Sequence, residues 1–140
     1  MRKLLVTGGT VFVSRYVAEY YAKKGDGVYV LNRNHHTQPE GTTLIEADRR
    51  DPGDVLKSHD FDAVLDITAY NGADIAGLLG GLGHFGTYIM ISSSAVYPAT
   101  AKQPFSESET PGVNTYWGAY GTDKIEAEQE LQKRVPEAYI

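Results

Sequence analysis

Three short stretches of this 140-residue chain carry residue types and spacings that can do chemistry. The first is Thr7-Gly8-Gly9-Thr10, directly after the apolar run Leu4–Val6. A glycine turn between a strand and a helix turns unpaired N–H groups and the positive end of the helix dipole outward, which is where a dinucleotide pyrophosphate sits. The second is Tyr120-Gly-Thr-Asp-Lys124, which puts a phenol and an ammonium four residues apart on one helix face. The third is Ile91-Ser92-Ser93-Ser94-Ala95-Val96-Tyr97, with three hydroxyls at the C-terminal end of an apolar strand. Open α/β sheets bind their ligands at that end. Taken singly, each has a plain structural reading: a turn without ligand, an exposed helix face, a polar turn. His35-His36 is the one histidine pair, set in a polar loop with no converging ligand, so it reads as solvated and no metal is expected.

These stretches need elements to position them. Lys3–Val6, Val28–Leu31, Thr43–Ala47, Phe61–Ile67 and Tyr88–Ile91 read as five strands, most of them apolar on both faces. Val13, Val17, Tyr20 and Tyr21 predict a helix with an apolar stripe, closing at Lys23-Lys24-Gly25. Ala73–Leu82 predicts another, although Gly77, Gly80 and Gly81 lower its intrinsic stability. Pro52–Ser58 predicts a short helix with Asp51 as its N-cap. Trp117–Arg134 predicts a long one, patterned by Ile125, Ala127, Glu128 and Leu131 and ending before Pro136. Doubly apolar strands alternating with helices imply a parallel α/β sheet covered on both faces, and right-handed crossovers make it doubly wound, the Rossmann arrangement. Glu137–Ile140 reads as a stub of a sixth strand, so the sequence reads as the truncated front of something longer.

Composition narrows the class. Thirteen Lys+Arg against 18 Asp+Glu give a net charge of −5, with 41% hydrophobic and 22% charged residues, as in an ordinary globular domain with one core. No apolar run approaches the roughly 20 residues of a membrane span. Met1–Lys3 opens no signal-peptide pattern, so a cytoplasmic location without a membrane partner is expected. The absence of cysteine excludes disulfides, thiolate metal sites and a Cys nucleophile. The acidic balance disfavours nucleic acid as a partner.

In combination and in order, the three stretches resemble the NAD-dependent epimerase/dehydratase branch of the extended short-chain dehydrogenase/reductase superfamily. The matching segments are LVTGGTVFVSRYVAE, EADRRD, FDAVLDITAYN, YIMISSSAVYP and YWGAYGTDKIEAE, which reach from Lys3 to about Leu131. The superfamily's G-x-x-G-x-x-G fingerprint would fall on positions 8, 11 and 14, where this chain has Gly8, Val11 and Ser14. Ser14 is small enough for close helix–strand packing, whereas the branched Cβ of Val11 limits the backbone's approach to a pyrophosphate. The resemblance runs closest to a subgroup whose turn reads G-G-T-x-F with the middle glycine replaced.

The resemblance implies roles residue by residue. Tyr120 would be the acid/base and Lys124 its partner, since a nearby ammonium favours the phenolate. Proton transfer with a substrate hydroxyl then accompanies hydride transfer with a nicotinamide. Ser93, four residues before Tyr97, would hydrogen-bond the reacting oxygen, with Ser94 as second choice. The implied cofactor is NAD or NADP, held by Thr7, Gly8, Gly9, Thr10, Phe12 and Val13 at the pyrophosphate and by Asp48 with Arg49 at the adenine edge. Asn32 and Arg33 would stand at the adenosine ribose, and Ala69, Tyr70, Tyr120 and Lys124 beside the nicotinamide ribose. After the second strand, NAD enzymes usually carry a carboxylate for the ribose 2′-hydroxyl. Here Asn32-Arg33 offers none, and Arg33 either pairs with a 2′-phosphate or faces solvent. The family's nucleotide-sugar dehydratases follow the catalytic hydroxyl residue with an Asp-Glu pair, whereas this chain has Ser94-Ala95. Epimerisation or simple oxidoreduction is therefore expected. The expected substrate is a small molecule of sugar type, by family default a nucleotide sugar, with its pocket built largely from sequence beyond Ile140. A homodimer pairing through Ala73–Leu82 and Trp117–Arg134 is also implied. A non-catalytic NAD(P)-binding module and an RNA-interacting relative are the alternatives.

Overall fold

The computed structural model describes residues 1–140. Strands β1 (Lys3–Thr7), β2 (Gly27–Asn32), β3 (Thr42–Glu46), β4 (Phe61–Asp66) and β5 (Phe85–Met90) form one sheet in the order β3-β2-β1-β4-β5. All four neighbouring pairs are parallel, with Val6 of the central β1 opposite Val30 on one side and Leu65 on the other. The sixth-strand stub is present as a single parallel bridge on the outer edge of β5. There the Tyr139 N–H donates to Tyr88 O and its carbonyl accepts from the Met90 N–H, each at 2.9 Å.

Helices α1 (Phe12–Lys23), α2 (Gly72–Gly81) and α3 (Ala119–Arg134) cover the sheet. Leu5, Val64, Tyr88 and Met90 pack with Ile75 and Leu78 of α2 and Ala127 and Leu131 of α3 in one core. Val6, Val28, Val30 and Leu65 pack with Ala18 of α1 in a second, smaller one. Strands buried on both faces cannot alternate apolar with polar residues, which is why they read as continuous apolar runs. No helix is long and apolar enough to cross a membrane.

Three expectations need correction. The buried face of α1 is Ser14 and Ala18, flanked by Val17, Tyr21 and Ala22, while Val13 and Tyr20 are exposed. Small residues four apart let the helix lie close to the sheet, so they set the face rather than the bulkiest side chains. Pro52–Ser58 is a run of turns and not a helix. Gly53 has φ +59°, and bonds such as Lys57 N–H to Asp54 O close after three residues. Asp51 accordingly caps nothing and bridges Asp48 through the backbone. The long helix begins at Ala119, because Gly118, at φ +50°, separates it from Trp117.

The α2 glycines have a packing cause that their helix propensity conceals. A Cβ on Gly77 would stand 2.3 Å from Arg50 O, and one on Gly81 2.2 Å from Pro52 Cγ. The segment after β3 therefore lies directly on the α2 backbone, which holds Asp48–Arg50 at the C-terminal end of the sheet.

Near the opposite end, the His59 ring stacks on Phe61 at 5.3 Å and meets Tyr29 edge-on, with Nδ1 buried and unpartnered. Burial, and then the Lys3 ammonium, hold His59 below the usual imidazole pKa. The unfolded chain, titrating near about 6.5, then takes up a proton before the folded one, so stability falls as pH drops from there toward the folded value. Melting temperatures measured from pH 7.5 to 5 are expected to decline more steeply for the wild type than for His59→Phe. Parallel profiles would count against this.

Candidate cofactor and active site

The turn after β1 is built on left-handed glycines, Gly8 at φ +80° and Gly9 at φ +83°. A Cβ on Gly9 would stand 2.5 Å from Val30 Cγ1, and one on Gly8 2.8 Å from Thr68 Cγ2, so conformation and space both require glycine. Asn32, at the end of β2, donates from Nδ2 to Gly8 O at 2.7 Å and fixes the turn's outer edge. The helix that follows has Val11 as N-cap, with no side-chain cap and no acidic residue in its first turn. Its leading N–H groups and positive dipole end are thus left for an anion. Val11 has extended backbone at φ −134°, so it needs no glycine for conformation. The residue is 58% exposed at this N-cap position. Phe12 is 86% exposed and left-handed at φ +45°, a strained geometry for a non-glycine residue.

A cavity of about 400 Å³ opens at the C-terminal end of the sheet. Gly8, Asn32, Arg33, Asp48, Arg49 and Tyr70 line it together, although they come from four different connections. Thr10, Phe12 and Val13 stand at the adjoining turn and helix start. The Asp48 carboxylate accepts the Arg50 N–H at 2.9 Å.

Beneath the cavity lies a network that was not singled out from sequence. Asp66 ends β4, is 0% exposed, and receives both Arg49 Nη atoms, at 2.5 and 2.8 Å. Thr7 Oγ1 donates to Asp66 Oδ1 at 2.9 Å and accepts the N–H groups of Ile67 and Thr68. The Tyr88 hydroxyl donates to Asp66 Oδ2 at 2.5 Å. Burial first, and then the Asp66 charge, push the Tyr88 phenol far up, so it remains a donor. Burial opposes the charge on Arg49, but its bonds to Asp66 outweigh that and hold the guanidinium above its ordinary value. Arg49 also donates to Asp74 O, while Arg50 Nε pairs with the Asp74 carboxylate at 2.6 Å. Thr7 and Arg49, expected as cofactor contacts, thus hold the floor of the cavity. The sequence signal was Asp66 itself, a carboxylate within the strand FDAVLD, where burial demands a partner.

On the far side of β4, Lys124 is 4% exposed and donates from Nζ to Ala69 O at 2.6 Å and Ile91 O at 2.9 Å. It ties α3 to the ends of β4 and β5, and burial lowers its pKa. One of its three N–H donors remains free. The Tyr120 ring lies 6.4 Å from Tyr70 and 5.9 Å from Trp117, and its hydroxyl makes no hydrogen bond within the chain. Gly121 permits close contact here, since a Cβ would stand 2.4 Å from Ala95 O. The helix therefore presses on the short 3₁₀ turn Ser94–Val96. Ser93 Oγ caps that turn by accepting the Ala95 N–H at 3.2 Å, whereas Ser92 Oγ is buried without a partner and Ser94 is exposed. The three serines line a second cavity of about 870 Å³, with Glu107, Glu128 and Gln129. Tyr70, Ala69, Tyr120 and Lys124 are brought together. Ser93 is beside them, on the turn against which Gly121 packs, without a hydrogen bond to Tyr120.

Solved structures share this architecture. A UDP-glucose-4-epimerase from Stenotrophomonas maltophila, with bound NAD and formylated UDP-arabinopyranose, matches 97% of this chain and 49% of its own, with TM-score 0.76 and 20% identity. A UDP-N-acetylglucosamine 4-epimerase from Methanobrevibacter ruminantium M1, in complex with UDP-N-acetylmuramic acid, matches 94% and 50%, with TM-score 0.76 and 22% identity. The UDP-Glc/GlcNAc 4-epimerase of Campylobacter jejuni matches 98% and 51%, with TM-score 0.76 and 18% identity. At such identities the likeness establishes the fold, and the chain spans about half the length of each. A lysozyme of Streptococcus phage Cp-9 is 34% identical over 71 residues, which are 51% of this chain and 21% of the lysozyme, too small a share to assign a family. A family model does better: residues 4–80, more than half of the chain and the span holding the glycine turn, Arg33, Asp48 and Tyr70, match it, and the chain belongs to the NAD dependent epimerase/dehydratase family.

Proposed function

We propose that this chain is the NAD(P)-binding Rossmann domain of an epimerase or oxidoreductase that acts on a nucleotide sugar by Tyr120-assisted hydride transfer. The observation that carries the reading is convergence. An uncapped helix entrance with two left-handed glycines and the Tyr120–Lys124 pair meet at one end of the sheet. A cradle that a Cβ would fill, beside unpaired N–H groups, fits a pyrophosphate. When bound, the dinucleotide supplies a hydride acceptor and donor.

The chain's own residues do the rest. The segment from Gly8 to Val13 holds the pyrophosphate, on the floor that Thr7 fixes. Asp48 and Arg49 flank the adenine, Asn32 and Arg33 stand at its ribose, and Ala69 and Tyr70 border the nicotinamide ribose. The Tyr120 hydroxyl, free of internal bonds, takes and returns the proton of a substrate hydroxyl. Lys124, fixed by two carbonyls, keeps one donor beside that exchange. Ser93 donates its hydroxyl proton to the reacting oxygen while its own oxygen goes on accepting the Ala95 N–H. Ser94-Ala95 offers no acid for a leaving hydroxyl, so epimerisation or simple oxidoreduction fits better than dehydration. The names of the solved relatives support a nucleotide sugar as substrate class. The same proposal includes a substrate pocket completed by sequence C-terminal to Ile140, a homodimer formed through α2 and α3, and a cytoplasmic location.

Titration of the chain with NADH and with NADPH tests the reading, through nicotinamide fluorescence and quenching of Trp117, its single tryptophan. Saturable binding of at least one is expected. A folded chain that binds neither would overturn the proposal.

A further inference from the structure

Resting on the reading of Tyr120 as acid/base, we infer that Trp117 is a substrate-positioning residue whose indole packs against the sugar ring that Tyr120 meets. Two aromatic rings stand against Tyr120, Tyr70 at 6.4 Å and Trp117 at 5.9 Å. Tyr70 also lines the cavity of about 400 Å³ on the dinucleotide side, and Trp117 does not. The two rings therefore flank Tyr120 without sharing that cavity. Trp117 is 59% exposed, and its Nε1–H meets no acceptor within the chain. A molecule that exchanges a proton with the Tyr120 hydroxyl comes within reach of this indole.

Trp117 is held by the same hydrogen bonds that assemble the reacting groups. The Gly112 N–H donates to Val96 O at 2.9 Å, on the 3₁₀ turn that Ser93 caps. Asn114, 5% exposed, donates from Nδ2 to Tyr97 O at 3.0 Å. Its own carbonyl accepts the N–H groups of Trp117 and Gly118, at 3.2 and 2.9 Å, and Trp117 O accepts the Tyr120 N–H at 3.2 Å. Gly118, at φ +50° and ψ −127°, turns the chain sharply from Trp117 into α3. The backbone of Trp117 is thus pinned between the Ser93 turn and Tyr120 in advance of any ligand. An aromatic side chain fixed beforehand costs little to order on binding. It offers a broad face of negative quadrupole and one polar edge. A pyranose matches both, since the carbon-bound hydrogens of one ring face can lie on the indole while a hydroxyl accepts from Nε1. The sugar is the occupant rather than the base or the diphosphate, because the sugar carries the hydroxyl that Tyr120 must reach.

The test uses the protein that carries this chain, with UDP-glucose and UDP-N-acetylglucosamine as probes. Trp117→Ala is expected to raise KM for the sugar nucleotide by at least about tenfold, with kcat kept within about threefold. The affinity for NADH, read from nicotinamide fluorescence, should not change. Trp117→Phe retains a ring without the N–H and is expected to recover part of the loss. Tryptophan emission gives a readout independent of turnover. The sugar nucleotide is expected to shift it in the wild type but not in Trp117→Phe, and saturating UDP to leave it in place. An unchanged KM in Trp117→Ala, a weakened NADH affinity, or an emission change that UDP alone reproduces would overturn the inference while leaving Tyr120 its role. Turnover unaffected by Tyr120→Phe, or failure of both sugar nucleotides to bind, would remove the reading and the inference together.

Discussion

Replacing Tyr120 by phenylalanine is expected to lower turnover of a nucleotide sugar, by the protein that carries this chain, by about 10²- to 10⁴-fold. The affinity for NADH or NADPH should stay where it was. The substitution is unusually clean. The ring keeps its contacts with Tyr70 and Trp117, and the hydroxyl that is lost has no partner in the folded chain. Lys124 remains fixed by Ala69 O and Ile91 O. Nothing structural is removed, so a fall in kcat can be assigned to the missing proton. Paired measurements of kcat and of dinucleotide affinity separate the outcomes. Lost turnover with intact binding supports Tyr120 as the acid/base. Unaltered turnover would place the chemistry elsewhere and leave a domain that holds its dinucleotide without reacting. Lys124 could not serve the same test, because its removal would also strip two buried carbonyls of their donor.

How far sequence reading reaches is clear from particular residues. β1, β2 and β4 are legible to within one residue at each end, because a strand buried on both faces cannot hide its apolar run, whereas β5 starts three residues before Tyr88, at Phe85, where Gly86 and Thr87 are exposed and break that run. The glycine turn was legible as well, since Gly8 and Gly9 occupy φ values that other residues avoid. Patterns set by small residues were not. The face of α1 depends on Ser14 and Ala18, which a search for large apolar side chains passes over. The α2 glycines register only as poor helix formers until the Arg50–Pro52 segment is seen lying on them. That contact also explains why Pro52–Ser58 follows the surface of α2 as turns. Roles shared by residues far apart in sequence were the least visible. Arg49 reads as a neighbour of an adenine-binding Asp48, and only the fold shows its guanidinium held by Asp66, 17 positions on.

That ion pair carries the second large effect. Asp66→Ala is expected to destabilise the chain by about 3–5 kcal/mol, because it leaves a buried guanidinium uncompensated. Tyr88 and Thr7 lose their shared acceptor in the same step, and a buried donor without a partner costs about 1–3 kcal/mol. Domains of this size hold only about 5–15 kcal/mol in total, so the variant should lie near the edge of folding. Removing both charges is a different case. Asp66→Leu combined with Arg49→Met eliminates the unpaired guanidinium and substitutes apolar side chains, a change that is often nearly neutral. The double variant is therefore expected to fall between the wild type and Asp66→Ala, with Tyr88 and Thr7, both left without their acceptor, accounting for its remaining deficit. Urea midpoints at constant m-value give the order directly. If Asp66→Ala shifted the midpoint by no more than the double variant does, Arg49 would have found another partner or water, and the network would not be what fixes the cavity floor. If the expected order holds, the double variant also separates fold from function. It keeps the sheet but frees the Asp48–Arg50 segment from β4, and nucleotide affinity should fall although the domain remains folded.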